Sequence, residues 1–91
     1  MFFVSAIKNG HPAWTIGWYS SREEAVEDLH NDRVHPGVED YQFLMLEEYR
    51  DTGLFPSVAS RQLFRWDPQR SGYFETALPG RLQRITNFAM G

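Results

Sequence analysis

The residues with the most chemical reach in this 91-residue chain are arginines interleaved with aromatic rings towards its end: Arg61, Phe64, Arg65, Trp66, Tyr73, Phe74, Arg84 and Phe88. A guanidinium forks a phosphate or carboxylate in a planar two-point contact, and an aromatic face stacks a base. The mixture therefore suits a nucleotide or a single-stranded nucleic acid. Arg61, Arg65 and Arg84 are the expected phosphate partners. Trp66, Tyr73 and Phe88 are the rings that stack or line a pocket, and Asn87 is the reader of a base edge. The same residue types are enriched at protein–protein hot spots, so an interface is the competing expectation. Strand alternation puts Arg65 and Trp66 on opposite faces, and a joint site then needs neighbouring strands or another subunit.

Other chemistries find less support. His11, His30 and His35 fall in a turn, at a helix end and in a loop, without the i, i+4 spacing of a metal pair, so no metal site is expected. Glu47 and Glu48 point to opposite faces of a strand and cannot flank one bond as a glycosidase pair. Glu47 follows Phe43 and Met45 on their face; it is either a strand-end residue in water or a buried carboxylate that needs an arginine partner. Cysteine is absent, no G-x-S-x-G elbow occurs, and the seven glycines sit singly rather than in a phosphate loop. The expectation is a binding protein rather than an enzyme, without a cofactor.

Charge is unevenly spread. The net charge of −3 argues against general nucleic-acid binding, which relies on a strongly basic surface. Residues 1–53 hold ten acids against four bases, whereas residues 54–91 hold two acids against five bases, all arginine. Either these arginines keep a sheet face soluble or they form an anion or partner site.

The elements that must position these side chains follow from pattern. Ninety-one residues make one domain, 1–91, and 42% hydrophobic with 23% charged residues is a folding composition. No run approaches a membrane span, and the start of the chain lacks a signal-peptide pattern, so a soluble, cytoplasmic protein is expected. Without disulfides, the core depends on aromatic burial, helped by homo-oligomerisation. Residues 2–9 alternate as a strand, Asn9-Gly10-His11-Pro12 turns, and residues 13–19 return antiparallel, with Trp14, Ile16 and Trp18 on one face and Thr15, Gly17 and Tyr19 on the other.

Ser21 with Glu24 fits a capping box and opens a helix to about Asn31, the expected left-handed terminator; Ala25, Val26 and Leu29 form its apolar stripe, and Glu23, Glu24, Glu27 and Asp28 its outer face. Residues 40–49 are apolar on both faces, which predicts an interior strand; residues 51–57 are irregular. Residues 61–67 and 73–77 form a second hairpin, with Trp66 opposite Phe74 and Arg65 opposite Glu75. A short helical turn at 81–83 and a closing strand at 85–90 complete the pattern. The fold class is α+β: a mostly antiparallel sheet of five to six strands with one main helix packed on one face, in the order β-β-α-β-β-β-(β).

Phe2-Phe3-Val4-Ser5-Ala6-Ile7, Ile16-Gly17-Trp18-Tyr19-Ser20-Ser21-Arg22-Glu23-Glu24-Ala25, Leu44-Met45-Leu46-Glu47-Glu48, Phe64-Arg65-Trp66-Asp67 with Gly72-Tyr73, and Thr86-Asn87-Phe88-Ala89-Met90-Gly91 carry a resemblance over nearly the whole chain. In these stretches the chain resembles a group of small uncharacterised proteins of bacteria and their phages. The resemblance implies an accessory, anti-defence role: an oligomeric sponge that sequesters a nucleotide immune signal without turnover, or a blocker of a host protein. On the first expectation the partner is an anionic, nucleotide-like small molecule. On the second, the acidic helix face around Glu23, Glu24, Glu27 and Asp28 meets a host protein.

Overall fold

The computed structural model describes residues 1–8, 11–34, 41–51 and 56–80. Its elements are β1 (Phe2–Lys8), β2 (His11–Tyr19), α1 (Arg22–His30), β3 (Phe43–Asp51), β4 (Pro56–Asp67) and β5 (Gly72–Thr76). The strands form one antiparallel sheet in the order β2-β1-β3-β4-β5. The fold is α+β, with α1 packed on one face of the sheet. Of the expected turn at 9–12, His11 and Pro12 instead begin β2, paired with Lys8 and Ile7, while residues 9 and 10, the helical turn at 81–83 and the closing strand at 85–90 lie outside the described residues. Among those described, no helix is long and apolar enough to cross a membrane.

The helix starts where the sequence places its cap. Ser21 is extended, and its hydroxyl accepts from the Glu24 amide at 3.2 Å, satisfying one of the orphan donors of the first turn. Its other end differs from expectation. Asn31 has φ −100°, and the left-handed residue is Asp32 at φ 55°. Asn31 instead donates its side-chain amide to the Glu27 carbonyl at 2.9 Å, which holds it near the helix and passes the reversal to its neighbour.

Ala25 and Leu29 bury the inner face of α1 against Val4 and Ala6 of β1, Leu44 and Leu46 of β3, Phe64 of β4 and Tyr73 of β5. This set contains the alternate residues of the central strands, as period-2 patterning requires. β3 is an interior strand, as expected. Its other face is also covered, because Met45 and Glu47 are wholly buried and Leu63 nearly so. Ile7, Phe43 and Leu78 pack against the Met45–Leu63 pair there.

Three expectations of register and extent are corrected. Val4 pairs with Gly17 but Ser5 with Thr15, so Ile16 is an extra residue in β2. This bulge breaks the alternation: Ile16 packs towards the helix-side core, while Trp18, opposite Phe3, lies on the other face and is 68% exposed. The stretch 51–57 is also less irregular than its composition suggests, since Asp51 ends β3 and Pro56 and Ser57 begin β4 in register with Asp51 and Arg50. The long β3–β4 pairing extends both strands beyond their alternating cores. The third correction concerns the β4–β5 hairpin and shapes the candidate site.

Candidate functional site

Asp67 organises the turn between β4 and β5. One carboxylate oxygen accepts from the amides of Gln69 at 3.0 Å and Arg70 at 3.4 Å, and the other takes the Arg70 Nε at 2.7 Å. Short carboxylate-to-backbone bonds of this kind favour turn conformations. The Arg70 hydrogen bond and charge, with the two amides, hold the Asp67 carboxyl below its usual range. Ser71 then adopts φ 54° and closes the loop with Gly72 opposite Asp67.

That closure comes one residue earlier than the expected pairing. Trp66 faces Tyr73 rather than Phe74, Arg65 faces Phe74 rather than Glu75, and Phe64 faces Glu75. Gly72 explains why this register holds. A Cβ built there would lie 2.0 Å from the His30 carbonyl oxygen, so the end of α1 rests directly on a residue without a side chain. The slip has an electrostatic consequence. Glu75, the expected partner of Arg65, instead accepts from the Gln62 side-chain amide at 3.2 Å. Arg65 is exposed, its guanidinium lies 6.0 Å from the centre of the Phe43 ring, and among the described residues no carboxylate pairs with it.

The structure divides the residues singled out from sequence. Trp66 and Tyr73 lie on the helix side, edge to face at 5.2 Å, and the Tyr73 hydroxyl donates to the Tyr41 carbonyl at 2.6 Å. Arg61 and Arg65 lie on the opposite face. Arg61 is consumed in an ion pair, with its Nε 2.7 Å from the Glu47 carboxylate, and is nearly buried. Tyr49 donates to the other Glu47 oxygen at 3.2 Å. Of the two sequence readings of Glu47, the buried carboxylate with an arginine partner is therefore the one realised. Arg84, Asn87 and Phe88 lie outside the described residues.

A cavity of about 320 Å³ opens at the hairpin end, lined by Arg65, Asp67, Arg70, Phe74 and Glu75 among others. Its volume falls at the lower end of the range for small-molecule sites. Phe74 is held between two partners: the His30 ring stacks at 4.4 Å and 15°, and the Arg70 guanidinium lies 3.6 Å from the ring centre. Both groups are too near that centre to share one face, so they occupy opposite sides. Sequence reading passed over this column. His30 belonged to a helix end and Arg70 to a turn, and no local spacing joins them.

A second polar network lies under the start of α1. Arg22 donates to the Glu48 carboxylate at 3.2 Å, to Ser60 at 3.1 Å and to Gln62, and its guanidinium lies 5.2 Å from the Phe2 ring centre. Desolvation pushes the Glu48 carboxyl up, but Arg50, Ser60 and Arg22 together outweigh it and leave it below its usual range. This network ties the helix start to β1, β3 and β4. Among the described residues no three metal-binding side chains gather.

The hairpin cavity brings together a cation without a carboxylate partner among the described residues, a ring column, and carboxylates at the wall. Comparison with known proteins finds no matching family model, no matching curated protein and no matching solved structure.

Proposed function

We propose that this chain is a small, non-enzymatic, oligomeric binding protein that sequesters an anionic, ring-bearing small molecule, a nucleotide by chemical class. The observation that carries this reading is the position of Arg65. It lines a cavity of suitable size, beside Phe43 and Phe74, with no carboxylate neutralising it among the described residues. An arginine so placed forks a phosphate, and the rings beside it offer apolar surface to a flat ligand. The cellular role this supports is the removal of a nucleotide immune signal inside a bacterial cell, of the phage accessory kind.

Isothermal titration of the full chain with nucleotides tests the reading. Binding that saturates, and that falls at least about tenfold in Arg65→Ala, is the expected result. A thermal-shift measurement serves as a check, because ligand at 100 times its dissociation constant stabilises by about 2.7 kcal/mol. Saturable nucleotide binding unchanged in Arg65→Ala would remove the site from the reading.

A second reading, a module that binds a basic host protein, rests on the outer face of α1. Glu23, Glu24 and Glu27 are exposed there, and among the described residues none is in an ion pair. Host-protein capture that is lost in a Glu24→Gln, Glu27→Gln double variant, with no nucleotide binding at all, would favour it.

A further inference from the structure

The wall of the hairpin cavity is close to electrically balanced. Arg65 and Arg70 bring two positive charges, and Asp67 and Glu75 two negative ones. Arg70 is already tied to Asp67 at 2.7 Å, whereas Glu75 accepts from the neutral Gln62 amide and is in no ion pair among the described residues. Arg65 is the cation left to meet an incoming anion. One guanidinium fork matches one phosphate or one carboxylate. Further phosphates in a chain would find the Arg70 charge already offset by Asp67 and the like charge of Glu75 at the wall.

The ring column limits where a flat group can sit. Both faces of Phe74 are taken, by His30 and by Arg70. Arg70 is 60% exposed although its guanidinium lies over Phe74, and its bond to Asp67 restrains the guanidinium. A planar guanidinium stacks on aromatic rings on either face. A ligand ring laid on Arg70 would continue the order His30, Phe74, Arg70, ring.

Resting on the nucleotide-binding reading, we infer that the cavity takes a flat-ring compound bearing a single phosphate or carboxylate, its ring stacked on Arg70 and its anion on Arg65, and that Asp67 selects against polyphosphates. Asp67 has two tasks in this arrangement. It sets the plane of Arg70, and it offsets the Arg70 charge, so that this second guanidinium does not draw in a further phosphate.

Titrations of the full chain with the common ribonucleoside monophosphates, the corresponding triphosphates and inorganic phosphate test the inference. A monophosphate should bind at least about tenfold more tightly than its triphosphate, and more tightly than inorganic phosphate. Arg70→Lys keeps the charge but removes the plane; it should weaken the monophosphate about tenfold and leave inorganic phosphate within about twofold. Asp67→Asn retains the turn acceptor for the Gln69 and Arg70 amides and removes the charge; triphosphate binding should rise about tenfold. Glu75→Gln, at an exposed residue, should move triphosphate binding in the same direction and serves if Asp67→Asn folds poorly. Triphosphates binding as tightly as monophosphates to the unaltered chain would overturn the inference and leave the binding reading intact. Monophosphate affinity unchanged in Arg70→Lys would overturn the stacking. Failure of every nucleotide to bind would remove both the inference and the reading on which it rests.

Discussion

Glu47 and Arg61 face one another across β3 and β4, with the guanidinium Nε 2.7 Å from a carboxylate oxygen that is wholly buried. Burying such a pair is costly, and its stability depends on both charges being present. Arg61→Ala should therefore destabilise the protein by about 3–5 kcal/mol, because it removes the guanidinium that faces a wholly buried carboxylate. Glu47→Gln, which retains an acceptor for the Tyr49 hydroxyl, should also destabilise by removing the carboxylate charge 2.7 Å from the Arg61 Nε. Urea denaturation at neutral pH measures both. A loss below about 1 kcal/mol for Arg61→Ala would mean that the pair behaves as a solvated surface contact.

Gly72→Ala and Gly80→Ala should behave differently. The added carbon at Gly72 would lie 2.0 Å from the His30 carbonyl oxygen, a backbone atom that can yield only if α1 shifts; at Gly80 it would meet nothing within 4 Å among the described residues. The first should cost about 1–3 kcal/mol as overpacking, and the second should stay within about 0.5 kcal/mol of the parent. Equal melting temperatures for the two variants would show that α1 does not rest on Gly72.

Stability should fall at both ends of the pH range. The Asp67 carboxyl is lowered by Arg70, and the Glu48 carboxyl is lowered by its arginine and serine partners against the opposing effect of desolvation. Near pH 4 the unfolded chain binds more protons at these groups than the folded chain, so their contribution is lost progressively as pH falls through and below about 4. Asp67→Asn should flatten that acid limb.

At the alkaline end, burial and the Asp28 carboxylate, 2.9 Å from the Tyr19 hydroxyl, raise the Tyr19 phenol well above its ordinary value. The unfolded chain then loses this proton first, so stability falls as pH rises above about 10. Tyr19→Phe should remove this part of the alkaline dependence. Denaturation midpoints measured from pH 3 to pH 11 would read both effects, and an alkaline limb unchanged in Tyr19→Phe would place its origin elsewhere.

Ser21→Ala should cost about 1 kcal/mol and loosen the first turn of α1, since the Ser21 hydroxyl satisfies the Glu24 amide. Amide exchange at Glu24 checks this locally, and protection unchanged there would mean that water replaces the cap at no cost.

The local features were legible in the amino-acid order because their causes are local. Ser21 three residues before Glu24 dictates where a helix begins, and alternation in residues 2–8 and 61–67 dictates strands. The two apolar faces of residues 43–47 required cover on both sides, and hence an interior position for β3. Even the alternatives for Glu47 could be framed from its neighbours, although choosing between them required Arg61 from another strand.

Tertiary packing decided what depends on distant atoms. A hairpin shifted by one residue differs little in local propensity, so the opposition of Arg65 to Phe74 follows from Ser71 in the left-handed region and from His30 resting on Gly72. The bulge at Ile16 likewise sends Trp18 to the face opposite its expected neighbour. The candidate site is built from these long-range choices: a register that separates Arg65 from Glu75, and a helix end that brings His30 to Phe74. Residue order determined the elements through short-range sterics and hydrogen bonding, while contacts between elements determined which charges were neutralised and which remained available.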